Sequence, residues 1–288
     1  MTQQTGNQRA GYHQGHKARK RFGQNFLVDQ NVLAAIVQAI GACPEQPIIE
    51  IGPGLGAISD HLIAAKALVT LIELDRDLAQ RLEAKHAASI TNKQCQLIVG
   101  DVLKVNFPQL IEQWSQRCAI TSPVKLVGNL PYNISTPVLF HLLEDKHCFS
   151  SMLFMLQKEL VDRLEAPAAT SAYSALSVVM QLECHVERLF DVPSSAFEPA
   201  PKVESSVVQL TPNDRLANLP GEPKHFRQFV HHCFNQRRKT LRNNLKGRLD
   251  EAAIRSLDID PQLRPEHLEA EQFLSLFTLW TSVAAQQG

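Results

Sequence analysis

The 288-residue chain contains no C-x-x-C pair, and its six cysteines, Cys43, Cys95, Cys118, Cys148, Cys184 and Cys233, are widely spaced. That excludes a zinc ribbon and a small disulfide scaffold, and leaves the reduced thiols of a cytoplasmic protein as the expectation. No apolar run approaches the ~18 residues of a membrane span. Met1 to Arg21 is polar and basic with no apolar core, so no secretory signal peptide is expected there. Eleven histidines include no H-E-x-x-H or other ligand spacing, and no metal site is expected. Internal repeats and low-complexity tracts are also absent.

Acidic residues are missing from two stretches. Residues 1–28 carry five Lys/Arg and no Asp/Glu, and residues 224–249 carry eight and none, although the whole chain is neutral with 29 of each sign. Two basic blocks on an otherwise acidic chain point to a polyanionic partner, a nucleic acid rather than a membrane.

What is present is an alternation of short apolar strands with amphipathic helices. Strands are expected over 47–51, 67–74, 96–99, 124–128 and 152–156. Helices are expected after Asp29 and up to Gly41, over 57–65 and 76–88, near 110–116, and over 137–144 with Thr136 as N-cap. Such βα units predict an α/β fold, a parallel Rossmann-like sheet with helices on both faces. Further on, 173–184 reads as a helix merging into a strand near 185–190, and 203–210 reads as a strand. Thr211 to Pro223 is rich in breakers, and the remainder is helical in pattern. The expected organisation is a Rossmann-like domain over 1–212, whose first fifteen residues read as disordered, and a small all-helical domain over 213–288.

Open α/β sheets bind ligands at the carboxyl ends of their strands, so those ends were read for chemistry. Gly52-Pro53-Gly54-Leu55-Gly56 follows the first strand and fits G-x-G-x-x-[GA] with Gly52, Gly54 and Ala57. Glycines there let the backbone approach a ligand at a helix N-terminus. Glu73 ends the second strand, 21 residues after Gly52, where a carboxylate can hold both hydroxyls of a ribose. Asp101 ends the third, placed to accept from an adenine amino group. Together these make a nucleoside pocket, for NAD or S-adenosylmethionine. After the fourth strand comes Asn129-Leu130-Pro131-Tyr132-Asn133-Ile134-Ser135, with Pro131 stopping the ladder. The Asn129 amide oxygen and the Leu130 carbonyl can accept from an NH₂ group, and Tyr132 can stack on a flat ring. A dehydrogenase needs a proton-transfer residue here, so NAD is the weaker reading.

At this motif the chain resembles amino-methyltransferases of the Asp/Asn/Ser-Pro-Pro-Tyr type and, more closely, the ribosomal RNA adenine N6-dimethyltransferases. The likeness runs through Lys17-Ala18-Arg19-Lys20-Arg21-Phe22-Gly23-Gln24-Asn25-Phe26-Leu27, Glu50 to Gly56, Ile72-Glu73-Leu74-Asp75, Gly100-Asp101 and Asn129 to Ser135. It continues through Phe154 to Glu159, Ala196-Phe197-Glu198-Pro199-Ala200-Pro201-Lys202-Val203 and Phe234-Asn235-Gln236-Arg237-Arg238-Lys239-Thr240-Leu241-Arg242. The resemblance implies S-adenosyl-L-methionine as cofactor. Asn25 and Leu27 would close over its methionine end, with the loop of Gly52 and Gly54 against it. Glu73 would hold its ribose and Asp101 its adenine. Asn129 would sit between cofactor and target amine, with Leu130 as second acceptor. Tyr132 and Phe197 would sandwich the target base, the alternative for Phe197 being a core aromatic.

The first basic block would offer Lys17, Arg19, Lys20 and Arg21 to RNA, and the second Arg237, Arg238, Lys239 and Arg242, wrapped around one helix. By the resemblance the reaction is dimethylation of two adjacent adenosines near the 3′ end of small-subunit ribosomal RNA. The enzyme would be a cytoplasmic monomer acting on an immature small ribosomal subunit, with no metal and no membrane. Two other readings are a large-subunit adenine methyltransferase of the antibiotic-resistance type and an RNA-binding assembly factor that keeps the fold without catalysis. The K-x-R-K-R-F-G-Q-N-F-L and F-N-Q-R-R-K-T-L-R strings favour the small-subunit branch.

Overall fold

The computed structural model describes residues 12–13, 16–17, 19, 23–118, 122–236 and 238–287. Most of the segment expected to be disordered lies outside the described residues, but Tyr12–His13 pairs with His16–Lys17 in a short antiparallel ladder.

Seven strands share one sheet: β1 Pro47–Ile51, β2 Leu68–Glu73, β3 Cys95–Val99, β4 Val124–Asn129, β5 Phe149–Gln157, β6 Cys184–Val192 and β7 Ser205–Pro212. Their order is β3-β2-β1-β4-β5-β7-β6, and the first five run parallel. β1 is buried along its whole length. That is why it reads as an unbroken apolar run rather than an alternating one: helices cover both faces of such a strand. Ile51 stands opposite Ile72 of β2 on one side and Gly128 of β4 on the other. A Cβ at Gly128 would lie 2.5 Å from the Ile51 carbonyl oxygen, so only glycine lets β4 come this close. From β1 the chain winds one way to β2 and β3; at β4 it crosses to the other side. A crevice is therefore expected between the carboxyl ends of β1 and β4.

The helix Gln30–Ile40 starts and ends as its sequence dictates. Asp29 caps it, accepting from Asn31 and Val32 N–H at 2.8 and 3.1 Å, and Gly41 closes it in the left-handed region. Before it, Phe26–Leu27 forms a two-residue antiparallel ladder with Phe197–Glu198. Leu33, Ile36 and Ile40 then pack with Ile48, Leu62 and Leu71 in the core.

Some boundaries differ from expectation. The helix after β4 begins at Ser135, not after Thr136, because the Ile134 N–H and the Ser135 hydroxyl both fold back onto the Pro131 carbonyl. The stretch 76–88 divides at His86 into helices Arg76–Lys85 and Ala87–Thr91. A helix over Lys158–Glu165 was not anticipated. Around its start, Lys158 binds Asp191 and Glu204, and Glu159 binds Arg163.

The described residues of Met1–Lys158 with Arg188–Gln209 make one compact unit, and those of Glu159–Glu187 with Leu210–Gly288 a second. The second is built on aromatic packing. Phe226 meets Phe277 edge-on at 5.5 Å, and Phe234 stacks on Phe273 at 5.6 Å. Within it the Arg227 guanidinium binds the Glu183 carboxylate at 2.6 and 3.0 Å, both side chains out of solvent.

Candidate active site

A cavity of about 210 Å³ opens at the carboxyl ends of the parallel strands. Asn25, Leu27, Gly52, Gly54, Glu73, Asp101, Asn129, Leu130 and Tyr132 all line it, so residues from five separate sequence motifs converge there.

The glycine loop forms one wall. Gly52 and Gly54 have φ of +67° and +61°, conformations that residues with side chains rarely adopt. Glu73 is tied to this loop. Its Oε2 accepts the Gly54 N–H at 3.1 Å and its Oε1 the Asp75 N–H at 2.8 Å. Burial raises its pKa, while those two N–H groups pull it back down. The carboxylate plane is thus fixed at the cavity wall. Behind it Glu50 is buried and accepts the Ser59 hydroxyl at 2.6 Å. Burial pushes the Glu50 pKa up to about 8, helped by the charges of Asp60 and Glu73. At neutral pH Glu50 therefore holds its proton, and the wall does not carry its charge beside that of Glu73. Asp101 is half-buried, and its Oδ1 takes the Leu103 N–H at 3.0 Å.

The opposite wall is the turn after β4. The Asn129 Nδ2 donates to the Asn25 carbonyl at 3.2 Å, so the amide is held with its donor on the N-terminal segment and its oxygen not engaged there. Both donors of the turn go to the Pro131 carbonyl rather than to that of Leu130. The Tyr132 hydroxyl shares a 2.6 Å hydrogen bond with Ser205 on β7, which holds the ring by its edge. Ser205 is 73 residues away in sequence, and no sequence signal marked it.

These donors and acceptors fit S-adenosylmethionine. A fixed carboxylate suits a ribose diol, a second suits an amino group on the adenine edge, and the bare backbone at Gly52 and Gly54 admits an amino-acid chain alongside it. The fit rests on the Glu73–Gly54 tie, which puts carboxylate and glycine wall in one rigid piece.

Other expected residues are placed differently. Phe197 is 4 % exposed, packed in the core cluster, and does not line the cavity. Its backbone pairs with Leu27, which turns the ring inward, so a base cannot reach it in this conformation. Arg19 does not face solvent freely: its guanidinium binds Asp75 at 2.8 Å and also Asp77. Asp75 is 1 % exposed, and a buried carboxylate needs such partners. Gln24 adds another, donating to Asp75 Oδ2 at 3.0 Å, so this part of the basic arm is latched to the edge of the cavity. Lys20, Arg21 and Arg237 lie outside the described residues, and only the backbone of Lys17 is described.

Arg238, Lys239 and Arg242 do not share a helix with one another. The helix Pro223–Phe234 ends at Asn235, and the Lys239 N–H turns back to Gln236 O before the next helix, Leu241–Asn244. Arg238 and Lys239 are exposed in that turn, while Arg242 pairs with Glu251 at 2.9 Å. Among the described residues no group of His, Cys, Asp and Glu could hold a metal ion, and no helix is long and apolar enough to cross a membrane.

Known proteins resemble this chain over most of its length. The family model for ribosomal RNA adenine dimethylase matches residues 15–282. The ribosomal RNA small subunit methyltransferase A of Acinetobacter baylyi is 47 % identical over 265 residues, 91 % of this chain and 92 % of that one. Its namesake in Hahella chejuensis is 46 % identical over 262 residues, with 91 % and 92 % covered. Among solved structures, a dimethyladenosine transferase from Plasmodium falciparum superposes with a TM-score of 0.72 at 22 % identity, over 90 % of this chain and 98 % of that one. The fold of the 23S rRNA methyltransferase ErmE is also alike, with a TM-score of 0.64 at 24 % identity over 89 % and 100 %. By the extent of the family match and by relatives near half identical over nine-tenths of its length, this chain belongs to the ribosomal RNA adenine dimethylase family.

Proposed function

We propose that this protein transfers methyl groups from S-adenosyl-L-methionine to the N6 amines of two adjacent adenosines near the 3′ end of small-subunit ribosomal RNA. The substrate is an immature small subunit in the cytoplasm, and the enzyme works as a monomer. The observation that carries the reading is the Asn129 side chain, anchored by its NH₂ beside the Glu73–Gly54 wall and keeping its oxygen for a substrate amine.

Adenine N6 is a poor nucleophile because its lone pair is delocalised into the ring. The Asn129 Oδ1 and the Leu130 carbonyl accept its two N–H bonds, which favours a pyramidal nitrogen with the lone pair free. The bound cofactor supplies a methyl group made electrophilic by a sulfonium. Positioning is then most of the task; N6 turns acidic once it carries the new methyl group and gives its proton to water, so a neutral amide is no handicap and no strong base is required. A duplex would hide N6, so the base must be flipped out or already unpaired. Stacking on Tyr132 offsets its unstacking by about 1–3 kcal/mol. Arg238 and Lys239 serve as exposed phosphate contacts, with the N-terminal arm as a second grip.

Two experiments bear on this. Incubating the protein with labelled S-adenosylmethionine and ribosomal RNA should give methyl incorporation; none with any ribosomal substrate would favour a non-catalytic assembly factor. Glu73→Ala should weaken cofactor binding by about 1.5–3 kcal/mol, the worth of a charge-assisted contact. Calorimetry reads this directly, and unchanged affinity would remove Glu73 from the ribose.

A further inference from the structure

The second unit contains a cavity of about 450 Å³ that the methyl-transfer chemistry leaves unused. Its floor is aromatic. Phe229 and Trp280 lie 5.5 Å apart, and Phe277 stacks on Trp280 at 5.9 Å. The two phenylalanines are buried, but Trp280 is only half-buried. The Arg248 guanidinium lies 5.2 Å from the centre of the indole. His225, Gln228, His232 and Thr281 add polar groups to the lining.

The surroundings select one ligand chemistry. Several arginines of this unit pair with carboxylates, among them Arg227 with Glu183, Arg242 with Glu251 and Arg215 with Glu271. Among the described residues no carboxylate pairs with Arg248. A guanidinium set over an indole still has N–H groups to offer an anion, and its planar fork matches a phosphate. The residues 224–249, which supply half of this lining, carry eight basic and no acidic side chains, so an acidic ligand is favoured over a basic one. His232 is fixed by its Nε2, which donates to the Asn244 carbonyl at 2.9 Å; Gln228 can both donate and accept. A partly open aromatic face, a cation on it, an anion-seeking edge and mixed hydrogen-bonding groups suit a nucleotide whose base has left its stack. A hydrophobic peptide would leave the guanidinium without a partner.

We propose that this cavity is a second RNA-binding site, taking one unstacked nucleotide of the substrate with its base on Trp280 and its phosphate on Arg248. It rests on the reading above only in that the substrate is RNA.

The test uses the full chain and a short single-stranded oligoribonucleotide. Of the two tryptophans Trp114 is buried, so quenching that disappears in Trp280→Phe reports this site. Trp280→Ala should weaken oligonucleotide binding at least about fivefold, and Trp280→Tyr should restore it, as expected for a stacking platform. Arg248→Gln, an exposed position that leaves the fold intact, should weaken binding and lower the log–log salt slope by about 0.7, one lost phosphate on single-stranded RNA. Cofactor affinity should not change in any variant. Equal affinity and parallel salt slopes for Arg248→Gln and wild type would overturn the proposal and assign the cavity to a protein segment instead. Methyl incorporation into ribosomal RNA by the wild type is measured alongside. Its absence would overturn the assigned activity, whereas its presence with unaltered oligonucleotide binding in the variants would overturn the second site alone.

Discussion

Replacing Asn129 with alanine should slow methyl transfer about 10²–10³-fold, the cost of removing one preorganised polar group from an active site. The side chain does two things. Its Nδ2 is bound to the Asn25 carbonyl, which joins the turn after β4 to the segment that walls the cavity. That bond turns Oδ1 to the substrate side, where it accepts from N6. Alanine removes both. Asn129→Asp separates them, because aspartate keeps an acceptor but has no hydrogen for Asn25. Its rate should fall between those of alanine and wild type. Single-turnover rates at saturating cofactor are the proper readout, since they report the chemical step and not product release. A rate near wild type for Asn129→Ala would remove the acceptor role.

Breaking the Arg227–Glu183 pair should cost about 3–5 kcal/mol of stability, because a buried carboxylate would be left without its counter-charge. Arg227 reaches Glu183 through two hydrogen bonds, at 2.6 and 3.0 Å, and Glu183 is 0 % exposed. Water cannot take the place of the guanidinium without opening the helices that carry the pair. Arg227→Ala should therefore shift the unfolding of the second unit to much lower urea. Trp280 fluorescence follows that unit and Trp114 the first. The double change Arg227→Met with Glu183→Leu should recover much of the loss, since it replaces the charges by packed apolar groups. A single change that left the Trp280 transition in place would show that the pair is solvated.

Much of the first unit could be read from the chain because its signals are local. The caps at Asp29 and Gly41 and the turn at Asp101 each act within a few residues of where they are written, and Glu73 meets the glycine loop across two neighbouring strands. What the chain did not reveal depended on distant partners. Arg19 is basic in a basic arm, yet Asp75, 56 residues on, takes it. Phe197 allows two readings, a platform for the base or a core aromatic, and its pairing with Leu27 carries the ring into the core. The helix expected through Arg237–Arg242 breaks because the Lys239 N–H finds Gln236 before Thr240 opens a new turn. Nothing local announced that Trp280 and Arg248, 32 residues apart, would meet over one cavity.

The central claim is tested most directly by mapping methyl groups on RNA. Small ribosomal subunits lacking the modification, and free large-subunit RNA in parallel, would be incubated with the protein and S-adenosylmethionine, digested, and read by mass spectrometry. The account predicts N6,N6-dimethyladenosine at two adjacent positions near the 3′ end of the small-subunit RNA and none in the large-subunit RNA. Methylation confined to the large-subunit RNA, or dimethyladenosine at neither position, would contradict it.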